Sequence, residues 1–165
     1  MSSQEKLSIL SQAARAEIDH WLTKYPPEQK RSALLPALHI VQDENGGWLS
    51  PELIEGVAHY LGIPPVAAYE VATFYSMYDL QPVGRNKVKV CTSISCMLRG
   101  ADELLAYMES HLGIKAGETT PDGRITLKKA ECLAACGGAP AVMINRNYHE
   151  NITPEKANEL LDDLE

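Results

Sequence analysis

The feature that most restricts this chain is the spacing of its cysteines. Cys91 and Cys96 in VCTSISCM form a C-x4-C pair, Cys132 and Cys136 in ECLAACGGAP form a C-x3-C pair, and 35 residues separate the pairs. No other cysteine is present. Four thiolates are the ligand count of a tetrahedral zinc or of an iron–sulfur cluster. A fold that uses all four must bring two distant loops together, and any metal chemistry belongs to the C-terminal half.

At 165 residues the chain is one large domain or two small ones. That length buries about 70% of the unfolded surface, so folding requires no disulfide staple. The opening MSSQEKLSIL lacks the basic and apolar regions of a secretory signal. No apolar run reaches the length of a transmembrane helix. These features predict a cytosolic chain without direct membrane insertion, where paired cysteines read as metal ligands or redox groups before they read as disulfides. The net charge is -7, with no long basic run, which argues against a nucleic-acid partner. No Walker or GxGxxG loop is present, so no flavin, nicotinamide or nucleotide site is visible here.

Residues 1–82 read as four helices. The first, from about Ser8 to Tyr25, carries Leu10, Ala14, Ile18, Trp21 and Leu22 at helical spacing and stops at Pro26-Pro27. The second, Glu28 to Asp43, carries Leu34, Leu35, Leu38 and Val41, with Pro36 calling for a late start or a bend. Ser50-Pro51-Glu52 opens the third as N-cap, N1 proline and early carboxylate, and Gly62 closes it. Pro64-Pro65 opens the fourth, with Val66, Tyr69, Val71, Ala72 and Phe74 as its apolar residues. Together they predict a small helical bundle with Trp21, Trp48 and the Phe74, Tyr75 and Tyr78 cluster in its core, followed by a Gln81-Pro82-Val83-Gly84 linker.

From Lys87 the period changes. Lys87-Val88-Lys89-Val90 alternates as a strand that delivers Cys91 at its end. A helix follows from Gly100 to Leu112, then a hairpin around Pro121-Asp122-Gly123 whose second arm leads to Cys132. Ala141 to Ile144 is a short buried strand, Asn145-Arg146-Asn147 turns into Tyr148-His149-Glu150, and Thr153-Pro154-Glu155 starts a last helix. Residues 83–165 are thus an α/β layer, and the whole chain is α+β.

Several chemistries fit the cysteines to different degrees. C-x4-C suits a loop wrapped around an ion or cluster, and Gly137-Gly138 lets backbone N–H groups approach sulfur, which raises a cluster's potential. Structural zinc also tolerates both spacings. A thioredoxin-type dithiol needs C-x2-C, plant-type ferredoxins need C-x4-C-x2-C, and a Rieske centre needs histidine ligands; none is found. Arg85, Lys87, Lys89, Arg99, Lys128 and Lys129 flank the pairs, either as a solvated strand face or as charges that offset a cluster. The five histidines, His20, His39, His59, His111 and His149, are scattered singly and read as helix-face or surface residues. Iron–sulfur is favoured on these grounds, and zinc stays open.

With CTSISCMLRG and ECLAACGGAPAVMIN preceded by helices ending in VATFYSMY, nearly the whole chain resembles the thioredoxin-like [2Fe–2S] E subunits of bacterial NADH:quinone oxidoreductases. The resemblance implies an N-terminal four-helix bundle, residues 1–82, followed by a thioredoxin-like α/β [2Fe–2S] ferredoxin domain, residues 83–165. Carried over by position, Cys91, Cys96, Cys132 and Cys136 ligate one [2Fe–2S] cluster that exchanges single electrons with the FMN of a partner flavoprotein subunit. FMN and NADH would bind only to that partner, an iron–sulfur subunit of the same complex would be a second neighbour, and the assembly would sit peripherally on the cytoplasmic side of the inner membrane. The corresponding subunits of NAD-linked hydrogenases and formate dehydrogenases look similar and form the nearer alternative. A zinc-stabilised interaction module without electron transfer is the more distant one.

Overall fold

In a computed structural model, residues 9–165 are described. Helix and sheet segregate along the chain, which divides into two units, Met1–Pro82 and Val83–Glu165. The first holds helices α1 (Gln12–Leu22), α2 (Leu34–Glu44), α3 (Pro51–Leu61) and α4 (Pro65–Phe74), with a 3-10 segment at Pro27–Ala33. The second holds β1 (Asn86–Cys91), a short α5 (Ile94–Met97), α6 (Ala101–Leu112), β2 (Ile125–Ala130), β3 (Val142–Ile144), β4 (Asn147–His149) and α7 (Pro154–Asp162).

Local chemistry sets the helix ends. The Ser11 hydroxyl accepts from Ala14 N–H at 2.8 Å, so α1 starts there; Ser8, where the sequence suggested a start, lies outside the described residues. Pro36 sits in the first turn of α2, where its missing N–H has no helical partner to lose. The preceding residues therefore take the 3-10 form, and the long second helix expected from Glu28 is shorter. Ser50 caps α3 through Leu53 N–H, and Gly62 ends it at φ 68°.

The core of the first unit contains Ala14, Ile18, Leu34, Leu38, Val41, Ile54, Val57, Leu61 and Tyr78. Two expectations fail here. Trp21 and Trp48 are only half-buried, Trp21 packing on the edge of the core and Trp48 outside it, and α4 buries Ala67, Ala68 and Ala72 while Val66 and Phe74 are 64% and 80% exposed. Small side chains allow close helix approach, so α4 packs through its alanines, with Tyr69 and Val71 half-buried at the edge of the core and Val66 and Phe74 turned outward. Tyr78 does enter the core; its hydroxyl donates to Leu35 O at 2.9 Å, and burial pushes its pKa well above the ordinary phenol value.

Gln42, also buried, ties α2 to the end of the unit. Its Nε2 donates to Met77 O at 3.2 Å and its Oε1 accepts from Asp79 N–H at 2.8 Å. Gln42→Leu keeps the volume but deserts the buried Asp79 N–H and the half-buried Met77 O, so a loss of about 2 kcal/mol is expected. Urea unfolding followed by far-UV circular dichroism checks it; an unchanged midpoint contradicts the clasp.

In the second unit the sheet order is β2-β1-β3-β4, with β1 and β2 parallel and the other neighbours antiparallel. Val88, Val90, Ile125, Leu127, Val142 and Ile144 join Leu104, Leu105 and Met108 of α6 and Ala157 and Leu161 of α7 in one core. β1 is a central strand, so Lys89 is only 9% exposed rather than part of a solvated face. The first hairpin arm is reduced to a single bridge, Thr119 to Thr126, with Gly117 N–H donating to Leu127 O and Thr120 N–H to Ile125 O.

Candidate metal centre

Register brings the chemistry to one end of the sheet. Cys91 pairs with Ala130, Val90 with Val142, and Val142 with His149. The ends of β1, β2 and β4 and the start of β3 therefore lie side by side, and Cys91, Cys132, Ala141 and Glu150 all fall there or just beyond. Cys91 N–H donates to Ala141 O at 3.0 Å and Thr92 N–H to Ala130 O at 2.8 Å, which fastens the loop mouths together.

The four thiols are free, and their settings differ. Cys91 and Cys96 are buried, at 2% and 1% exposure, in a small cluster with Ala101, Leu133, Ala139 and Ala141. Cys132, beyond β2, and Cys136, at the start of a 3-10 turn ending at Gly138, are exposed. Burial pushes the Cys91 thiol up, but hydrogen bonds from the Ser93 and Leu133 backbones and the Cys96 thiol outweigh it, leaving its pKa below the ordinary value. Burial, the bond donated to Cys91 and the nearby charges of Cys91 and Cys136 raise Cys96, against a lowering bond from the Ala141 backbone. Ala134 N–H donates to Cys132 Sγ at 3.3 Å, from a residue held at φ 55°.

Two of the four candidates are directly linked, Cys91 with Cys96 by a hydrogen bond, and Cys136 lies near enough for its charge to raise the Cys96 thiol. Cys132 is held by its own loop, and among the described residues no group of three potential ligands is gathered into a ready set. The donor set nonetheless suits an anionic cluster. Backbone N–H groups from both loops address Cys91, Cys96 and Cys132, and such donors stabilise thiolate charge. The sequence suggested that the Gly137-Gly138 step would supply such donors, and for Gly138 it does not. Gly138 N–H donates to Ala135 O at 3.1 Å instead.

The sequence reading also missed α5. It carries Cys96 on its buried side, while Ile94, Met97 and the following Leu98 are 70%, 42% and 76% exposed. Ser93, extended at φ -64° and ψ 154°, occupies the N-cap position and was the available signal.

A mixed sheet packed against α6 and α7 thus carries cysteine loops that converge at one sheet end. The family described as thioredoxin-like [2Fe–2S] ferredoxin matches residues 18–165. Among curated relatives, the E subunit of NADH-quinone oxidoreductase from Rickettsia bellii is 50% identical over 143 residues, 87% of this chain and 86% of that one. NADH dehydrogenase [ubiquinone] flavoprotein 2, mitochondrial, of Dictyostelium discoideum is 46% identical over 148 residues, covering 90% of this chain and 60% of the relative. Among solved structures, an NAD+-reducing [NiFe]-hydrogenase in the air-oxidized state superposes with a TM-score of 0.67 at 21% identity, over 78% of this chain and 22% of the hydrogenase chain. That last likeness is one of fold. The chain belongs to the thioredoxin-like [2Fe–2S] ferredoxin family.

Proposed function

We propose that this chain is a one-electron carrier subunit of an NADH:quinone oxidoreductase. Cys91, Cys96, Cys132 and Cys136 would hold one [2Fe–2S] cluster, which when bound supplies one-electron chemistry. The observation that carries the reading is 50% identity to the Rickettsia bellii protein over most of both chains. The N–H donors around Cys91, Cys96 and Cys132 support it from the site itself.

On this reading the chain's residues ligate, bias and dock; no proton is moved. Residues 1–82 form a four-helix bundle domain and residues 83–165 the cluster domain. Exposed Ile94, Met97 and Leu98 beside buried Cys96 form an apolar rim that excludes water and seats a partner subunit carrying FMN and NADH. An iron–sulfur subunit of the same complex is the second neighbour. Among the described residues no helix is long and apolar enough to cross a membrane. A peripheral position on the cytoplasmic side of the inner membrane, held through other subunits, completes the proposal.

The test is a visible and EPR spectrum of the protein purified without oxygen, with iron, zinc and sulfide assayed on the same sample. About two irons and two sulfides per chain, and an EPR signal that appears only on reduction, are expected for this cluster type. One zinc in a colourless protein overturns the reading. Co-purification with hydrogenase or formate dehydrogenase subunits in place of quinone-reducing partners would move the carrier to that assembly.

A further inference from the structure

Glu150 occupies a position that the fold alone does not demand. It follows β4, whose last residue, His149, pairs with Val142, so it emerges at the cysteine end of the sheet. The next residues clasp the second cysteine loop: Asn151 N–H donates to Gly138 O at 2.7 Å and Ile152 N–H to Pro140 O at 3.2 Å. Asn151 is left-handed, at φ 51°, a conformation that asparagine tolerates better than most residues. This kink lays the Glu150 side chain along Gly138. A β-carbon at Gly138 would clash with the Glu150 carboxylate and with the Glu150 β-carbon, so the glycine is required for room, not for backbone freedom.

The carboxylate therefore lies against Gly138, two residues beyond Cys136 in the turn that begins there. Glu150 is exposed, and among the described residues no ion pair neutralises it. A negative charge at this place opposes the arrival of an electron at the adjacent thiolate site, because the reduced site carries one more negative charge.

We infer that Glu150 is a potential-setting residue: its carboxylate, pressed onto the Cys136–Gly138 turn, lowers the reduction potential of the group held by the four cysteines. The inference rests on the cluster reading above. It is distinct from ligation, since Glu150 touches the loop backbone rather than a sulfur position. The contact with Glu150 also explains why a glycine is needed at position 138, although its N–H bonds Ala135 O.

The test is a redox titration of the full chain, purified without oxygen and poised with dithionite, comparing wild type with Glu150→Gln by EPR. Glutamine preserves size and removes charge. At a fixed poise the ratio of reduced to oxidised site is expected to rise about threefold, about 30 mV at 59 mV per tenfold change for one electron. Iron and sulfide contents stay as in wild type, and Glu150→Asp retains most of the low potential. The difference between wild type and Glu150→Gln should shrink from 10 mM to 1 M salt, as the screening length falls from about 30 Å to about 3 Å. A merely structural role would not follow salt in this way. Equal midpoints at low salt in two fully loaded proteins overturn the inference while leaving the cluster reading intact. Absence of iron and sulfide from both proteins overturns the cluster reading, and the inference with it.

Discussion

Single replacement of Cys91, Cys96, Cys132 or Cys136 by alanine is expected to remove most of the iron and sulfide from the chain and bleach its visible spectrum. Each cysteine supplies a quarter of the proposed ligand set, and a [2Fe–2S] cluster with a missing thiolate exposes an iron. The four variants should separate in a second measurement, thermal unfolding of the iron-free chain. Cys91 and Cys96 are buried, and Cys96 accepts from the Ala141 backbone. Removing either buried sulfur leaves a small void and an unpaired N–H, a loss of about 1–3 kcal/mol. Cys132 and Cys136 are exposed, and their removal should alter the iron-free stability by no more than about 0.5 kcal/mol. Full iron content in any variant removes that residue from the ligand set. Equal destabilisation by all four would contradict the division into buried and exposed pairs.

That division was not legible in the sequence, and the reason is physical. Spacing specifies how far apart ligands can lie along the chain, not which loop the sheet covers. Cys91 is covered because it ends a central strand and Cys96 because α5 turns it inward, and both facts depend on the β2-β1-β3 order. Glu150 escaped for the same reason. Its meeting with Gly138 is made by strand register and by the left-handed Asn151, across residues that no local pattern connects.

Features coded within a few residues were readable. Ser50-Pro51 and Thr153-Pro154 mark helix starts because an N-cap oxygen and an N1 proline act inside one turn. Val88 and Val90 announced β1 through simple alternation, although Lys89 shows that alternation does not guarantee an open second face. α4 was misread on its packing side because Val66, Val71, Tyr69 and Phe74 spread apolar surface around the helix. Hydrophobicity then offers no single face to choose. The choice was made by size, with Ala67, Ala68 and Ala72 turned inward.

Gly84→Val is expected to be the most damaging substitution away from the cysteines. A β-carbon at Gly84 would stand 2.9 Å from Ile125 C and 3.0 Å from both Ile125 N and Thr126 N. All three are backbone atoms of β2, so no side-chain rotation can make space. Relief requires the segment entering β1 to lift away from β2. That movement strains the Gly84 N–H to Thr126 Oγ1 bond of 2.6 Å, and after it Arg85 N–H to Gly123 O at 3.0 Å and Asn86 N–H to Arg124 O at 2.9 Å. Overpacking of this kind costs about 1–3 kcal/mol, and a lost buried hydrogen bond adds about 1 kcal/mol or more. A total of about 3 kcal/mol lowers the melting temperature of a unit this small by roughly 10–20 °C. Because β1 delivers Cys91, the same displacement should weaken cluster retention before the sheet melts. Differential scanning calorimetry of the iron-free chain, alongside iron content after mild heating, measures both effects. A melting temperature within about 3 °C of wild type, a shift of under 1 kcal/mol at this size, would mean that the strand entry yields easily, and the close approach at Gly84 would then carry little of the fold's stability.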